Sequence, residues 1–378
     1  MKCILISCFN IYDLRIRPIE NFLIAKGYEC KYITSDFDHN KKAKYASEHG
    51  DAIQLNVPKY KKNLSIARLL SHYIFAKKAI KEIKRQQPDL IYVILPPNFL
   101  AKFFSRYKRK NKVQLVYDIY DLWPETFPSK KSKGFLTLPF LIWRNIRDKN
   151  LSSADMVITE CNLFQEKLKK VLNGVKKETL YLSKDSHNIN NIHTVEEIDK
   201  LNLCYLGSIN NIIDIDLIKN VVREFNNIKP VTLHVIGDGE NRIKLIEEIR
   251  EVGAEVEFYG LVYNVQEKTN IFKKCHFGIN IMKDSVCVGL TMKSIDYFQA
   301  GLPILNNIQE DTFKLVDKYS IGFNINQGNL QELVKKVSNL NVEDHIKMRQ
   351  NTKKIFKDFF STEAANKKLE YIFEKIGI

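Results

Sequence analysis

Hydrophobic and polar positions follow two different periods along the chain, and each period predicts one type of element. Short apolar runs bounded by polar turns predict buried strands, and longer stretches with an apolar residue every three or four positions predict amphipathic helices. In the first half, the predicted strands are 2–8, 28–34, 51–56, 89–95, 113–118, 154–159 and 178–182. The helical patterns between them lie near 16–26, 64–87, 98–109, 136–152 and 162–172.

The same alternation restarts after a polar stretch. Alternation of strands and helices at this spacing is typical of parallel sheets built by βαβ crossovers. We therefore predict an α/β protein with two doubly wound, Rossmann-like domains, residues 1–182 and 201–358, joined by a linker at 183–200. The predicted strands of the second half are 202–206, 231–236, 255–259, 276–281, 302–305 and 321–325, and two final helices are predicted near 343–358 and 362–376.

One segment of the second half combines turn and helix signals with an unusual charge. A glycine turn at Gly289 leads into a short helical pattern that ends at Gly301. Thr291 is a favourable N-cap residue, and Gly301 is a favourable residue just past a helix end. Lys293 would face the positive end of the helix dipole, which is unfavourable unless an anion binds there. The segment predicts a phosphate or diphosphate site, with a lysine that points into water as the alternative.

A second loop in this half also carries glycines. Gly237, Asp238 and Gly239 follow the predicted strand 231–236 and precede a helical pattern. Glycines at that point let the backbone turn tightly and approach a ligand, although a lone Gly-x-Gly is not a dinucleotide-binding fingerprint. His234, inside the strand, is predicted to pack in the core.

In the first half, polar and aromatic side chains follow a predicted strand. Trp123 lies between Asp121 and Glu125, just beyond the strand at 113–118. The indole ring offers a flat apolar face and the carboxylates accept hydrogen bonds, a combination suited to sugar recognition. Asp121 or Glu125 is the candidate base toward an acceptor hydroxyl, with Asp13 as a rival.

Charge is distributed unevenly over the two halves. The chain has a net charge of +15, with 34 basic and 17 acidic residues in 1–182 against 25 and 27 in 183–378. A one-sided basic excess indicates a polyanionic partner such as a membrane surface, with a solvated lysine-rich surface as the alternative.

Two segments of the basic half match a membrane interface. Residues 129–144 place basic residues on both sides of an apolar, aromatic stretch too short to span a bilayer, and Phe99, Phe103 and Phe104 precede a basic run at 106–110. Such segments can lie at an anionic lipid surface. The alternative for residues 135–143 is a buried core helix.

The composition argues against several other classes. No apolar run approaches the ~20 residues that cross a bilayer, and the first residues have a strand pattern rather than that of a signal peptide. Seven cysteines without a Cys-x-x-Cys pair fit reduced thiols in a cytoplasm. Asp36 and Asp38 imitate a metal-binding Asp-x-Asp without supporting ligands nearby, so no metal is predicted. The basic residues form no nucleic-acid-recognition motif, and no nucleic-acid partner is predicted.

The order and spacing of these motifs resemble a known family. The window at 289–304, with the motifs at 121–125 and 235–242, is similar to GT-B-fold glycosyltransferases. The closest likeness is to family 4-like bacterial enzymes of capsule and O-antigen polysaccharide synthesis, and it covers nearly the whole chain. The resemblance implies that the two domains face each other across a cleft and that the C-terminal helix, within 359–378, crosses back to the N-terminal domain.

The resemblance implies a nucleotide-sugar site in the C-terminal domain. Lys293 would stabilise the charge that develops on the leaving diphosphate, and Asp296 would hold ribose hydroxyls. Val288 stands where relatives carry a glutamate. The Arg and Lys that many relatives carry near the diphosphate loop are absent, which leaves Lys293, Lys283 or Arg242 to balance the diphosphate. The implied donor-binding residues are Gly207, Ser208, Gly237, Asp238, Gly239, Tyr259, Leu261, Gly289, Leu290, Thr291, Met292, Lys293 and Asp296.

The resemblance also implies the partners and the reaction. Asp13, Arg15, Arg17 and Trp123 would bind the acceptor in the basic N-terminal domain. The enzyme would be a retaining, metal-independent glycosyltransferase without a cofactor, transferring a hexosyl or N-acetylhexosaminyl group from a nucleotide diphosphate-sugar, a UDP-sugar, to a polyprenyl-diphosphate-linked saccharide. It would be cytoplasmic and peripheral on the inner membrane face. The alternatives are a nucleotide-sugar epimerase and a non-catalytic subunit that docks a partner glycosyltransferase at the membrane.

Overall fold

The computed structural model describes residues 1–127, 137–186, 199–326 and 328–378. They form two compact units, the first made of Met1–Leu182 and Ala365–Ile378, and the second of Ser183–Ala364. Part of the segment at 129–144 and part of the linker at 183–200 therefore lie outside the described residues.

The first unit is built on a seven-stranded sheet in which every neighbouring pair is parallel. Its strands are β1 (Lys2–Ile6), β2 (Glu29–Ser35), β5 (Ile53–Leu55), β6 (Leu90–Leu95), β7 (Gln114–Ile119), β8 (Met156–Thr159) and β9 (Lys177–Thr179). Their order is β5-β2-β1-β6-β7-β8-β9. All six side chains of β6 are buried, the pattern of a central parallel strand covered on both faces. A separate antiparallel hairpin joins β3 (Phe37–Asp38) and β4 (Ala43–Lys44).

Helices connect these strands, and the last helix of the chain belongs to this unit for most of its length. The helices are α1 (Asp13–Ala25), α2 (Ile66–Gln86), α3 (Phe99–Lys108), α4 (Thr137–Leu151), α5 (Asn162–Lys167) and α13 (Thr362–Glu374). Helix α13 packs on α1. Phe373 stacks on Phe22 with ring centroids 5.7 Å apart, and Glu370 accepts a bond at 2.6 Å from Lys26, which directly follows α1.

The second unit repeats the plan with a six-stranded parallel sheet. Its strands are β10 (Leu201–Leu206), β11 (Val231–Ile236), β12 (Glu255–Gly260), β13 (Phe277–Asn280), β14 (Ile304–Asn306) and β15 (Gly322–Asn324), in the order β12-β11-β10-β13-β14-β15. Its helices are α6 (Ile215–Asn226), α7 (Arg242–Glu251), α8 (Val265–Lys274), α9 (Met292–Ala300), α10 (Asp311–Tyr319), α11 (Leu330–Ser338) and α12 (Val342–Ile355), followed by a π-helical turn at Phe356–Phe360. Buried side chains of β10, β11, β13 and α6 form a continuous apolar core.

The predicted α/β class with two Rossmann-like halves is confirmed, and the differences lie at element ends. Helix α1 begins at Asp13, so that Arg15 is in its first turns rather than in a loop. The helix predicted at 162–172 ends at Lys167, and the strand predicted at 178–182 is Lys177–Thr179. The hairpin formed by Phe37–Asp38 and Ala43–Lys44 is not among the predicted elements. Among the described residues, no helix has the length and apolar character needed to cross a membrane.

Candidate functional site

The predicted donor-binding residues collect at one edge of the second sheet. Gly207, Gly237 and Leu261 directly follow β10, β11 and β12, and the turn at 289–291 leads into α9 beyond β13. In doubly wound sheets, ligands bind at the carboxyl ends of the strands, which is this edge. Helix α9 is tied to the sheet, because Tyr297 Oη accepts a bond from the Leu206 backbone N–H at 2.8 Å.

Two of these loops pack backbone against backbone. Ile209 N–H donates to Asp238 O at 2.9 Å. A Cβ on Gly237 would lie 2.0 Å from Gly207 O, and a Cβ on Gly239 would lie 2.4 Å from Ile209 O. Both glycines also have positive φ angles, 140° and 158°. The close approach of the two loops is by itself a sufficient physical reason for glycine at 237 and 239.

Lys293 is a buried cation at the start of α9. Its side chain is 8% exposed, and its Nζ lies 4.8 Å from the centroid of the Tyr205 ring. Within the described chain it forms no hydrogen bond or ion pair, and burial lowers its pKa to about 7. Thr291 caps the helix by accepting a bond from Ser294 N–H at 3.2 Å. An uncompensated ammonium beside a helix N-terminus favours an anion, and this burial rules out the alternative of a solvated lysine.

A row of side-chain amides supports this helix start. Thr291 Oγ1 donates to Asn280 Oδ1 at 2.9 Å. Asn280 Nδ2 donates to Asn306 Oδ1, and Asn306 Nδ2 donates to Asn324 Oδ1, each at 2.8 Å. The three asparagines are register partners on β13, β14 and β15. Sequence reasoning missed this asparagine ladder, although its signal is visible as an asparagine that closes each of three apolar strands.

Asp296 lies in α9 with both carboxylate oxygens engaged. Oδ2 is 2.8 Å from Lys184 Nζ, and Oδ1 accepts a bond from Lys268 Nζ at 2.6 Å. The carboxylate predicted to hold ribose hydroxyls is therefore the centre of a lysine–aspartate–lysine bridge, and a ribose would share it with two ammonium groups. Neither lysine was identified from the sequence.

The other cations proposed to balance a diphosphate have protein partners. Arg242 Nη1 lies 3.2 Å from Asp238 Oδ1, which neutralises it, and Lys283 Nζ donates to Asn211 O at 2.8 Å. Of the three candidates, Lys293 is the one without a partner among the described residues.

Three further implied donor-binding residues, Tyr259, Leu261 and Met292, differ in exposure. Tyr259 is half-buried, and its hydroxyl bonds to Glu257 and lies 2.9 Å from His234 Nδ1. Leu261 is 59% exposed at the same edge, and Met292 is 39% exposed. His234 is 3% exposed, so the prediction that it packs in the core is confirmed.

In the first unit, Asp121 remains a candidate base, as does its rival Asp13. The Asp121 carboxylate accepts bonds from Trp123 Nε1 and Thr126 Oγ1. Burial raises its pKa, and these hydrogen bonds offset part of that effect. A raised pKa increases the affinity of a carboxylate for a proton, which suits a general base.

Glu125 serves a different purpose from the predicted one. Its two oxygens accept bonds from Arg147 Nη1 and Nη2, both at 2.9 Å, and the Arg147 side chain is fully buried. A carboxylate held through both oxygens by a buried guanidinium is committed to that ion pair, so the structure does not favour the predicted role of Glu125 as a base.

Trp123 is also placed differently from the expectation. The ring is only 7% exposed and packs among other rings rather than offering a free face to a sugar. Its ring neighbours, with centroids between 5.2 and 6.0 Å away, are Phe9, His72, Phe127 and Trp143.

The remaining predicted acceptor residues lie in α1. Arg15 is 3% exposed and binds Asp118 through Nε at 2.7 Å and Nη2 at 3.0 Å, so it is a structural cation rather than one that reaches an acceptor. Asp13 accepts a bond from Tyr32 Oη at 2.8 Å, and burial raises its pKa. Arg17 is exposed.

The acidic pair of the hairpin is used locally. Asp36 accepts a bond from Lys44 Nζ at 2.5 Å, and Asp38 accepts one from Asn10 Nδ2 at 3.0 Å. No group of three or more histidine, cysteine or acidic side chains with metal-binding geometry occurs in the described ranges.

Comparison with known proteins defines the fold as GT-B, which confirms the predicted class. Sucrose-phosphate synthase from Thermosynechococcus elongatus aligns with a TM-score of 0.71 and 13% identity, over 100% of this chain and 99% of that chain. Anabaena Alr3699/HepE in complex with UDP aligns with a TM-score of 0.66 and 14% identity, over 99% of each chain. The apo form of the lipopolysaccharide outer core galactosyltransferase WaaB aligns with a TM-score of 0.68 and 14% identity, also over 99% of each chain.

Sequence comparison narrows the class for part of the chain. Residues 200–341, which contain the sheet edge described above, match the family described as Glycosyl transferases group 1. A search of curated protein sequences gives no match.

Proposed function

We propose that the chain is a retaining glycosyltransferase that transfers a sugar from a nucleotide diphosphate-sugar, a UDP-sugar, to a lipid-linked saccharide in surface polysaccharide synthesis. The observation that carries the proposal is the buried, uncompensated Lys293 at the N-terminus of α9. Its position within the segment that matches group 1 glycosyltransferases supports a donor site there. The structural similarity to a protein in complex with UDP supports the choice of nucleotide.

The proposed chemistry follows from where positive charge is placed. When the bond from the sugar to the diphosphate breaks, negative charge grows on the leaving oxygen. Lys293 and the free N–H groups at the α9 start stabilise that charge, which lowers the barrier without a protein nucleophile. The acceptor hydroxyl attacks the anomeric carbon from the face of the leaving group as the bond to the diphosphate breaks, and the hydroxyl proton passes to the leaving diphosphate.

The experiment that tests the donor site is the pH dependence of UDP-glucose binding. In the unliganded protein Lys293 has a pKa of about 7, and a bound diphosphate favours its charged form. Binding therefore takes up a proton above neutrality, and the affinity at pH 8 is expected to be about tenfold lower than its plateau below pH 7. The diphosphate diester of UDP-glucose does not titrate in this range. Calorimetry in buffers of different protonation enthalpy measures both quantities.

Removal of the Lys293 charge provides the control for this measurement. Lys293→Gln should bind weakly and without proton uptake. Tight, pH-independent binding by the unaltered protein would remove Lys293 from the site. If no UDP-, GDP-, dTDP- or CMP-sugar binds at millimolar concentration, the non-catalytic partner subunit becomes the better reading.

The proposed membrane association rests on a basic groove between α2 and α3. The groove has a volume of about 720 Å³, and none of the described residues that line it is acidic. Phe103 and Tyr107 form part of its wall, and Phe103 packs on Tyr73 at 5.6 Å. Phe104, predicted to lie at the lipid surface, is instead fully buried. The basic residues of this α2–α3 groove are Lys77, Lys78, Lys81, Lys84, Arg106 and Lys110.

Apolar side chains are exposed on α2, which lines the groove, and on α4, which packs on α3. Leu70 and Tyr73 of α2 are 50% and 40% exposed, and Leu138 and Ile142 of α4 are 56% and 55% exposed. Basic residues beside exposed apolar ones suit the interface of an anionic bilayer.

Charge reversal in the α2–α3 groove should weaken binding to anionic vesicles. Each cation near such a surface contributes about 1 kcal/mol, so Lys77→Glu/Lys81→Glu is expected to lower vesicle affinity at least about tenfold. Co-sedimentation with phosphatidylglycerol-containing vesicles measures this, with Lys335→Glu/Lys336→Glu of α11 as the matched control. Equal sedimentation of both variants and the unaltered protein would contradict the assignment of this groove.

A further inference from the structure

Among the described residues of the first unit, three arginines are almost completely buried, and one of them lacks a carboxylate partner. Arg15 is paired with Asp118, and Arg147 is paired with Glu125. Arg68 is 2% exposed and forms no ion pair with a described residue. Burying a charge costs free energy unless an opposite charge or a full set of hydrogen bonds compensates it. The site around Arg68 is therefore incomplete as it stands.

The hydrogen bonds of Arg68 are also incomplete. Its Nη1 donates to Asn63 O at 2.8 Å, and its Nε lies 3.4 Å from His72 Nε2. Nη2 has no hydrogen-bond partner among the described residues, and neither has His72 Nδ1. The guanidinium carbon lies 4.2 Å from the centroid of the Trp123 ring, and this cation–π contact compensates only part of the cost.

A second cation, Lys42, lies near an aromatic ring that Arg68 also approaches, that of Tyr60. Lys42 Nζ is 5.1 Å from the centroid of the Tyr60 ring, and the Arg68 guanidinium is 5.9 Å from it. Lys42 is half-buried, donates to Asn63 Oδ1 and forms no ion pair with a described residue. His39 Nδ1 lies 2.6 Å from Tyr60 Oη. Burial is the main cause that lowers the pKa of both Lys42 and His39, the charge of Arg68 lowers both further, and the carboxylate of Asp38 opposes these effects.

Two nearby carboxylates accept hydrogen bonds from neutral donors. Asp38 accepts bonds from Asn10 Nδ2 and from the backbone N–H groups of Asn40 and Lys41. Asp121 is held by Trp123 Nε1 and Thr126 Oγ1. Asp121 interacts electrostatically with Arg68, and Asp38 with Lys42, but neither carboxylate forms an ion pair with Arg68, so its Nη2 remains without an acceptor among the described residues.

The cluster formed by Arg68, Lys42, His39 and Trp123 lies at the edge of the first sheet where doubly wound domains bind ligands. Phe9 follows β1 and Trp123 follows β7, so both lie beyond the carboxyl ends of parallel strands of the first sheet. Arg68 is in the first turn of the 21-residue α2, which contains no acidic residue in that turn. Through Trp123, the cluster is one hydrogen bond away from Asp121, a candidate base.

We propose that Arg68, Lys42 and His39 form a binding site for a phosphate or diphosphate group of the acceptor. The assignment of the ligand to the acceptor rests on the proposed function, whereas the anion site itself does not. In this site, the half-buried Lys42 and His39 contact the anion, and Arg68 contributes its charge from a guanidinium 5.9 Å from the centroid of the Tyr60 ring. An anion held here brings the acceptor close to Asp121.

The test is a calorimetric titration of inorganic diphosphate into the full-length protein saturated with UDP-glucose, so that the diphosphate site on α9 is already filled. The unaltered protein is expected to bind inorganic diphosphate, and Lys42→Gln is expected to weaken that binding about tenfold. Lys41→Gln, which removes a neighbouring exposed lysine, should leave it unchanged. Arg68→Gln should weaken it further, with circular dichroism to verify that this buried variant folds.

The outcomes separate this site from the donor site. Absence of diphosphate binding to the saturated protein, or equal affinity in Lys42→Gln and the unaltered protein, would overturn the proposal. If UDP-glucose does not bind, the proposed donor site fails. The same titration is then made on Lys293→Gln, in which the α9 cation is absent, and it reports on the Arg68 site alone.

Discussion

Replacement of Lys293 by alanine is expected to lower kcat by about 10²–10³-fold, the effect of removing one group that stabilises charge in a transition state. The reason is that Lys293 is the candidate cation without a described partner at this sheet edge, since Arg242 is neutralised by Asp238 and Lys283 is held by a backbone carbonyl. Donor hydrolysis, or transfer to a lipid-linked saccharide, measured with UDP-glucose gives the readout.

The same variant should not lose stability. Because burial lowers the pKa of Lys293, its ammonium destabilises the unliganded fold below its unfolded pKa, and this effect fades as the pH rises from about 7 toward 10.5. Lys293→Ala is therefore expected to melt no lower than the unaltered protein at pH 6. Lys283→Ala, at the same edge, is the matched control and should keep most of its turnover. Turnover of Lys293→Ala equal to that of the control would remove Lys293 from the chemistry.

Asp118→Ala is expected to lower the free energy of unfolding by about 3–5 kcal/mol, because it leaves a buried guanidinium without its counter-ion. Both partners are almost completely buried, with exposures of 3% for Arg15 and 0% for Asp118. Asp118 also accepts a bond from Tyr92 Oη at 2.6 Å, which the variant leaves without that acceptor. Urea denaturation followed by circular dichroism measures the loss.

A double variant distinguishes the pair from a cavity effect. Arg15→Met combined with Asp118→Leu removes both charges and keeps most of the volume, so it should recover much of the stability that Asp118→Ala loses. A double variant as unstable as the single one would mean that packing, and not charge, dominates at this position.

The fold class could be predicted because its physical cause is local. Strands buried on both faces read as short continuous apolar runs, as in Leu90–Leu95, and amphipathic helices read as a period near 3.6. Element ends were less predictable. The last residues of the helix predicted at 162–172 form turns instead, and nothing in the local pattern marks that change.

The candidate site could be predicted only in part, because only some of its features have a local cause. Lys293 could be singled out because a capping threonine and a glycine stop define its helix locally. The pairing of Glu125 with Arg147, and of Asp296 with Lys184 and Lys268, joins residues 22 to 112 positions apart, and such pairs carry no sequence pattern. The aromatic packing that buries Trp123 is a tertiary effect of the same kind.

The asparagine ladder gives the start of α9 a fixed direction of hydrogen bonding. Asn306 can be oriented in only one way, because Ile308 donates its N–H to Asn306 Oδ1 and accepts from Asn306 Nδ2 through its carbonyl. That orientation sets Asn280 as donor, which leaves Asn280 Oδ1 to accept the proton of Thr291. The hydroxyl lone pairs of Thr291 are consequently turned toward the amide of Ser294. The polarity of one amide on a neighbouring strand thus decides which way the dipole of the capping hydroxyl points.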